Sequence, residues 1–263
     1  MATAQDAPSR QTQDGQAVDK RTSLAFELAS AWCGPLFLAT FVICFGFLGH
    51  NLPAPPSPTL GPAEIGQRVV GNLMDLRLGW ILGLVCMGFY LPWSGQISAH
   101  MARIETHART MTYTQLIGGT LTVFVVSFAL LCWSIATFRP ERDPALMQML
   151  TDFGWLSLET QWVLTTVQMW AMAFIGLADR NAQPVWPRWV CWLSIWCGLS
   201  FTPASLTQYM KAGPFAWTGV LSYYVPYPAW LIWCGAISYY MIKDVRRRTA
   251  ALEQGAAAQP HYA

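Results

Sequence analysis

The sequence predicts an all-α integral membrane protein: a bundle of six transmembrane helices, several kinked by proline, with both termini in the cytoplasm. Three observations predict it. Hydrophobic residues make up 54% of the 263 residues and charged residues only 11%, less than half the charged share of a soluble domain. Six apolar stretches, 29–49, 78–99, 114–137, 153–178, 189–209 and 215–242, each reach the ~20 residues that cross the hydrocarbon core as a helix. Fourteen tryptophans suit a membrane–water boundary, where the indole ring and its N–H are both satisfied.

Residues 1–22 are polar and rich in Gln, Asp, Ala and Ser, which predicts a disordered cytoplasmic tail. No cleavable signal is expected, because the first apolar run is long enough to span. The membrane domain is read as 23–248, and 249–263 as a second cytoplasmic tail. After the first span comes an external loop over 50–62. Pro53, Pro55, Pro56, Pro58 and Pro62 forbid a helix there and favour extended chain. Ile65, Val69, Leu73 and Leu76 then recur at helical spacing and predict an amphipathic helix leading into the second span. Asp143-Pro144 reads as an N-cap followed by proline at the first helical position, starting the fourth helix. Residues 211–214 form a tight turn before the sixth span.

Orientation follows from the basic residues. With the N-terminus inside, eleven of the sixteen Lys and Arg fall on the cytoplasmic side, as the positive-inside rule requires. Arg246, Arg247 and Arg248, directly after the last span, are the strongest anchor. The cell (plasma or inner) membrane is the expected location. The net charge of +2, with no basic stripe, argues against nucleic acid as a partner; the lipid bilayer is the expected one. The seven cysteines all fall inside predicted spans and are read as small apolar packing residues.

Proline inside a span removes a backbone hydrogen bond and frees a carbonyl one turn earlier. Lipid cannot satisfy that carbonyl. Pro35, Pro92, Pro203 and the pair Pro226/Pro228 do this in four spans. The sixth helix is expected to be kinked or broken at its proline pair, with Tyr223, Tyr224 and Tyr227 beside the break. The fourth span is the most polar, holding Glu159, Gln161, Thr165, Thr166 and Gln168 within ten residues. It is expected at the centre of the bundle. Glu159 is the one carboxylate expected within the membrane, where charge is costly and is usually paired or functional. Arg77 and Lys211 are its candidate partners. Glu27 is expected to pair with an arginine at the inner end. His100, Arg103, Glu105 and His107 are expected to be a solvated cytoplasmic end.

Several chemistries are excluded. The four histidines, His50, His100, His107 and His261, lie at span ends or in the tail, against axial haem ligation within the spans. HExxH, GxSxG, paired DxxxD and P-loop signatures are absent from the sequence, and with them those protease, hydrolase, prenyltransferase and nucleotide-driven readings. No cofactor or metal site is predicted, and oligomeric state is not legible.

Three functions fit these features. The first is binding or transport of a hydrophobic or amphipathic small molecule in a cavity lined by the fourth and sixth helices. Its candidate ligand-binding residues are Glu159, Gln161, Thr166, Gln168, Tyr223, Tyr224, Tyr227 and Arg77. The second is a membrane-embedded isomerase or cyclase acting on a lipid or terpenoid-like substrate, with Glu159 and Asp75 as catalytic carboxylates. The third is an accessory, partner-binding membrane subunit.

Overall fold

A computed structural model describes residues 10–257, with side chains from 18 to 254. All regular structure among these residues is helical. Eight α-helices run α1 (Arg10–Phe41), α2 (Pro62–Gly71), α3 (Leu73–Ile104), α4 (Thr110–Phe138), α5 (Pro144–Thr160), α6 (Trp162–Ala178), α7 (Arg188–Ser200) and α8 (Pro226–Ala257). Wider π turns extend α1 over Val42–Leu48 and precede α8 over Val220–Tyr224. A 3₁₀ segment, Thr202–Tyr209, follows α7.

Five segments are long and apolar enough to cross a membrane: Val18–Leu48, Leu73–Ile104, Thr110–Phe138, Pro144–Ala178 and Arg188–Tyr209. The sixth stretch belongs to the 32-residue helix α8, which is not among them. Its first half is loaded with Pro, Tyr and Trp, and these dilute the aliphatic residues. Outward-facing side chains agree with lipid contact. Ile81 and Val85 on α3, Ile117 and Phe124 on α4, and Trp192 and Trp196 on α7 are exposed, forming apolar stripes that water would penalise.

α3 and α4 pack side by side, α1 packs on α3, α5 and α6 pack on α4, and α7 and α8 pack on each other and close the bundle between α6 and α1. Close approach at α4 depends on glycine. A Cβ on Gly119 would meet Ser94 Oγ at 1.9 Å, and one on Gly118 would meet the Gln168 backbone nitrogen at 3.0 Å. Small residues of this kind let membrane helices come together. The centre is aromatic: Phe37, Tyr90, Trp93 and Trp233 are all at most 1% exposed.

Asp143 caps α5, its carboxylate accepting from the Ala145 N–H at 2.9 Å with Pro144 at the first helical position. The amphipathic helix α2 buries Ile65 and Val69 against Met147 of α5. Pro35 and Pro92 lie inside continuous helices. Pro203 ends α7 in a 3₁₀ turn, and the Leu199 carbonyl it frees accepts from Thr202 Oγ1 at 2.9 Å. The helix at the proline pair is broken, and Pro226 occupies the first position of α8, where its missing N–H costs nothing. The fourth span is also interrupted, at Gln161 between α5 and α6.

Helix extends into both predicted tails: α1 begins at Arg10 and α8 runs to Ala257. Their sequences there are rich in Gln, Ala, Arg and Leu, and most of these propagate a helix already nucleated. The remainder of each tail lies outside the described residues.

The proline-rich loop folds onto the bundle. Trp217 Nε1 donates to the Pro56 carbonyl at 2.7 Å, the Tyr223 hydroxyl to Asn51 O at 2.6 Å, and the Tyr224 hydroxyl to Pro53 O at 3.1 Å. We call this the loop end of the bundle, and the opposite one the basic end.

Candidate ligand cavity

Two helix interruptions build the site. Glu159 sits in the last turn of α5, just before the chain breaks at Gln161. Tyr227 sits in the first turn of α8, just after Pro226. The Tyr227 hydroxyl donates to Glu159 Oε1 at 2.8 Å. Glu159 is only 3% exposed. Both residues border a partly open pocket of about 50 Å³, lined from α1, α4, α5, α6, α8 and Phe201 at the end of α7. Space of this size holds about one or two waters, so an organic ligand enters it by displacing side chains of the wall.

Its wall is apolar and aromatic, with Phe41, Trp162, Phe201, Tyr227 and Trp230 among the lining side chains. The polar groups are few: Glu159, the hydroxyls of Thr122 and Thr165, and the Tyr227 phenol. Among the described residues Glu159 is the only charged group in this wall. The Trp230 indole N–H is buried on the side of the Tyr90 hydroxyl and is not part of the pocket surface.

The other sequence candidates are dispersed. Thr166 donates to the Gly198 carbonyl of α7 at 3.1 Å. Tyr223 and Tyr224 hold the proline-rich loop. Gln161 is half-buried at the helix break and does not border the cavity. Arg77 caps α4, donating to the carbonyls of Thr137 and Phe138 at 2.9 and 3.1 Å. Asp75 is solvent-facing beside His50, at 3.1 Å, and does not border the cavity. Lys211 is exposed.

Gln168 belongs to a buried polar seam between α3, α4 and α6. Its Oε1 accepts from the Tyr90 hydroxyl at 2.9 Å and from Thr122 at 3.4 Å, and Thr122 also contacts Thr165 at 3.0 Å. Ser94 Oγ receives amide protons from Gln115 at 3.1 Å and from Gln168 at 3.5 Å. Ser98 then donates to Gln115, and Thr112 donates to Glu105 at 2.8 Å. The seam thus starts at two cavity hydroxyls and ends at the α3–α4 connection.

A second pocket of about 30 Å³ lies under the proline-rich loop, between Trp80, Trp133, Trp155 and Arg68. Arg68 donates to the His50 carbonyl at 2.5 Å, so its charge helps to hold the loop.

The expected pairing of Glu27 with an arginine is part of a larger charge network at the basic end, whose Asp244 and His100 members the sequence reading missed. Glu27 accepts from Arg103 and Arg248, each at 2.5 Å, and from Gln96 at 3.2 Å. Asp244 accepts from Arg248 at 2.8 Å and from Arg247. His100 Nε2 lies 3.3 Å from Asp244 without hydrogen-bond geometry. His100 is fully buried and Asp244 nearly so, which corrects the expectation of a solvated end for this part of it. His107 is exposed, as expected. Burial alone would raise the Asp244 carboxyl; the close approach of His100 and the charge of Arg248 override it and hold the group well below the usual carboxylate range. Asp244 stands three and four residues before Arg247 and Arg248, a helical pairing the sequence did display.

Among the described residues, no group of three or more His, Cys, Asp or Glu side chains is placed to hold a metal ion. No family model matches the chain, and no curated protein and no solved structure is significantly similar to it.

Proposed function

We propose that this multi-pass membrane protein binds a hydrophobic or amphipathic small molecule in the Glu159 cavity. On this reading it sits in the cell membrane with six spans, α8 supplying the sixth, and with the basic end cytoplasmic. One observation carries the proposal. The cavity is lined almost wholly by apolar and aromatic groups, yet it holds a carboxyl whose one partner is a phenol. An amphipathic ligand supplies a polar or charged complement to Glu159, while its apolar body meets the rest of the wall. Transport is the natural extension, since the seam runs from the cavity wall to Glu105. The seam is closely packed, so passage along it requires the three helices to part.

The isomerase or cyclase reading has less support. Two-carboxylate chemistry needs a second acid within reach. Asp75 lies outside the wall, and Glu159 has no carboxyl neighbour there.

The test is thermal stability of the purified protein across a panel of amphipathic compounds. Wild type should be stabilised by at least one compound, and Val126→Phe, which fills the cavity, should abolish that gain. A gain that survives filling would move the ligand elsewhere and sink the proposal.

A further inference from the structure

We propose that the ligand class of this cavity is a lipophilic organic cation, bound in exchange for a proton at Glu159. The inference rests on the cavity reading above and deepens it.

The wall itself points to charge. Glu159 is buried, and no Lys, Arg or His borders the same space. The groups facing it from each packed element are neutral. α1 gives Phe41, α4 gives Thr122, Val125 and Val126, α5 gives Leu158, α6 gives Trp162 and Thr165, and the end of α7 gives Phe201. α8 gives Tyr227, whose ring stands 5.0 Å from that of Tyr223. Among the described residues these two phenols are the other titratable groups beside the carboxyl. A carboxylate in such a place lacks the countercharge that buried acids need. Two agents can provide it, a proton or a ligand's positive charge.

The aromatic lining favours the second agent when a suitable ligand is present. Organic cations are held over the faces of Trp, Tyr and Phe, and five such side chains surround the space. An anion would meet Glu159 with like charge. A neutral hydrocarbon would leave the carboxyl as it is. The exchange balances simply: the neutral acid releases its proton to solvent, its carboxylate remains, and the cation takes up the charge with no covalent bond made or broken except the O–H.

The experiment uses two ligands of one shape, 3-hydroxyphenyltrimethylammonium and 3-tert-butylphenol, which differ in a nitrogen cation for a carbon. Binding is measured calorimetrically on wild type, Glu159→Gln and Val126→Phe in one lipid medium. Comparing variants within one medium cancels partitioning into lipid. The cation should bind wild type about tenfold or more tightly than Glu159→Gln, and the phenol should not distinguish them. Repeating the titration in buffers of different ionisation heat should show one proton released per cation in wild type and none in the Gln variant. If both ligands bind wild type and Glu159→Gln alike and lose binding in Val126→Phe, the cavity reading stands and the cation inference falls. If Val126→Phe changes neither ligand, the cavity reading itself falls. Glu159-dependent binding of the cation without proton release overturns the exchange. Should Val126→Phe fail to fold, Val125→Phe fills the same wall.

Discussion

The two ends of the buried polar inventory treat carboxylates in opposite ways. At the basic end, Glu27 and Asp244 are gripped by Arg103, Arg247 and Arg248, with His100 alongside. These contacts tie α1, α3 and α8 together. Near the helix breaks, Glu159 has one phenol and no cation. Charge pairing at the basic end uses up the carboxylates' capacity to bind anything else. At Glu159 that capacity is left open, beside empty space. Full pairing marks a staple and incomplete pairing marks a site.

The largest effect that can break this comparison is at Asp244. Removing one partner of a buried network leaves the others uncompensated. Asp244→Ala should cost about 3 kcal/mol, the low end for such losses, because Arg247 and Arg103 still reach water. Chemical or thermal unfolding in detergent measures it, and a cost near zero would make the network ornamental. The same residue sets a pH signature. Its carboxyl is held below the ordinary range in the folded protein. Its contribution is therefore complete above about pH 4, the unfolded value, and is lost as pH falls from there towards the folded one. The stability gap between wild type and Asp244→Asn should narrow on acidification below that point. A gap that stays constant down to the lowest pH at which both fold would contradict the pairing.

The polar seam is an intermediate case, with buried polarity satisfied without charge. Gln168→Leu removes the acceptor of the Tyr90 hydroxyl and a donor to Ser94. It should cost about 2 kcal/mol, as unmet buried groups do. Adding Tyr90→Phe should recover part of that loss, since the orphaned hydroxyl is then gone. No recovery in the double variant would place the cost in packing and not in hydrogen bonding.

The helical membrane class was legible because it depends on summed hydropathy and needs no tertiary contact. The Asp143 cap and the break at the proline pair were legible because proline acts locally. The interruption at Gln161 was not. Neither Pro nor Gly stands there, and the break coincides with tertiary contacts: Trp162 Nε1 reaches Ser205 Oγ at 2.8 Å, and Tyr227 reaches Glu159. Glu159 was singled out from its apolar surroundings alone, but its partner came from 68 residues away. At the basic end the pairing of Glu27 with an arginine was legible, but the part played by His100 and Asp244 was hidden for the same reason: they come from distant helices, so histidine at a span end read as solvated when it is buried.

The smallest effect expected is at Glu159 itself, and it separates the two regions most cleanly. Glu159→Gln keeps an oxygen to accept from Tyr227 and introduces no charge. Stability should change by less than about 1 kcal/mol, with a gain as acceptable as a loss. Tyr227→Phe should cost about 1 kcal/mol, the value of one hydrogen bond. The same Asp-to-amide or Glu-to-amide change therefore should be damaging at Asp244 and nearly silent at 159. Ligand response should show the reverse, lost at 159 and retained in Asp244→Asn. If Glu159→Gln instead unfolds the protein as severely as Asp244→Ala, Glu159 is part of the scaffold, and the contrast between staple and site disappears.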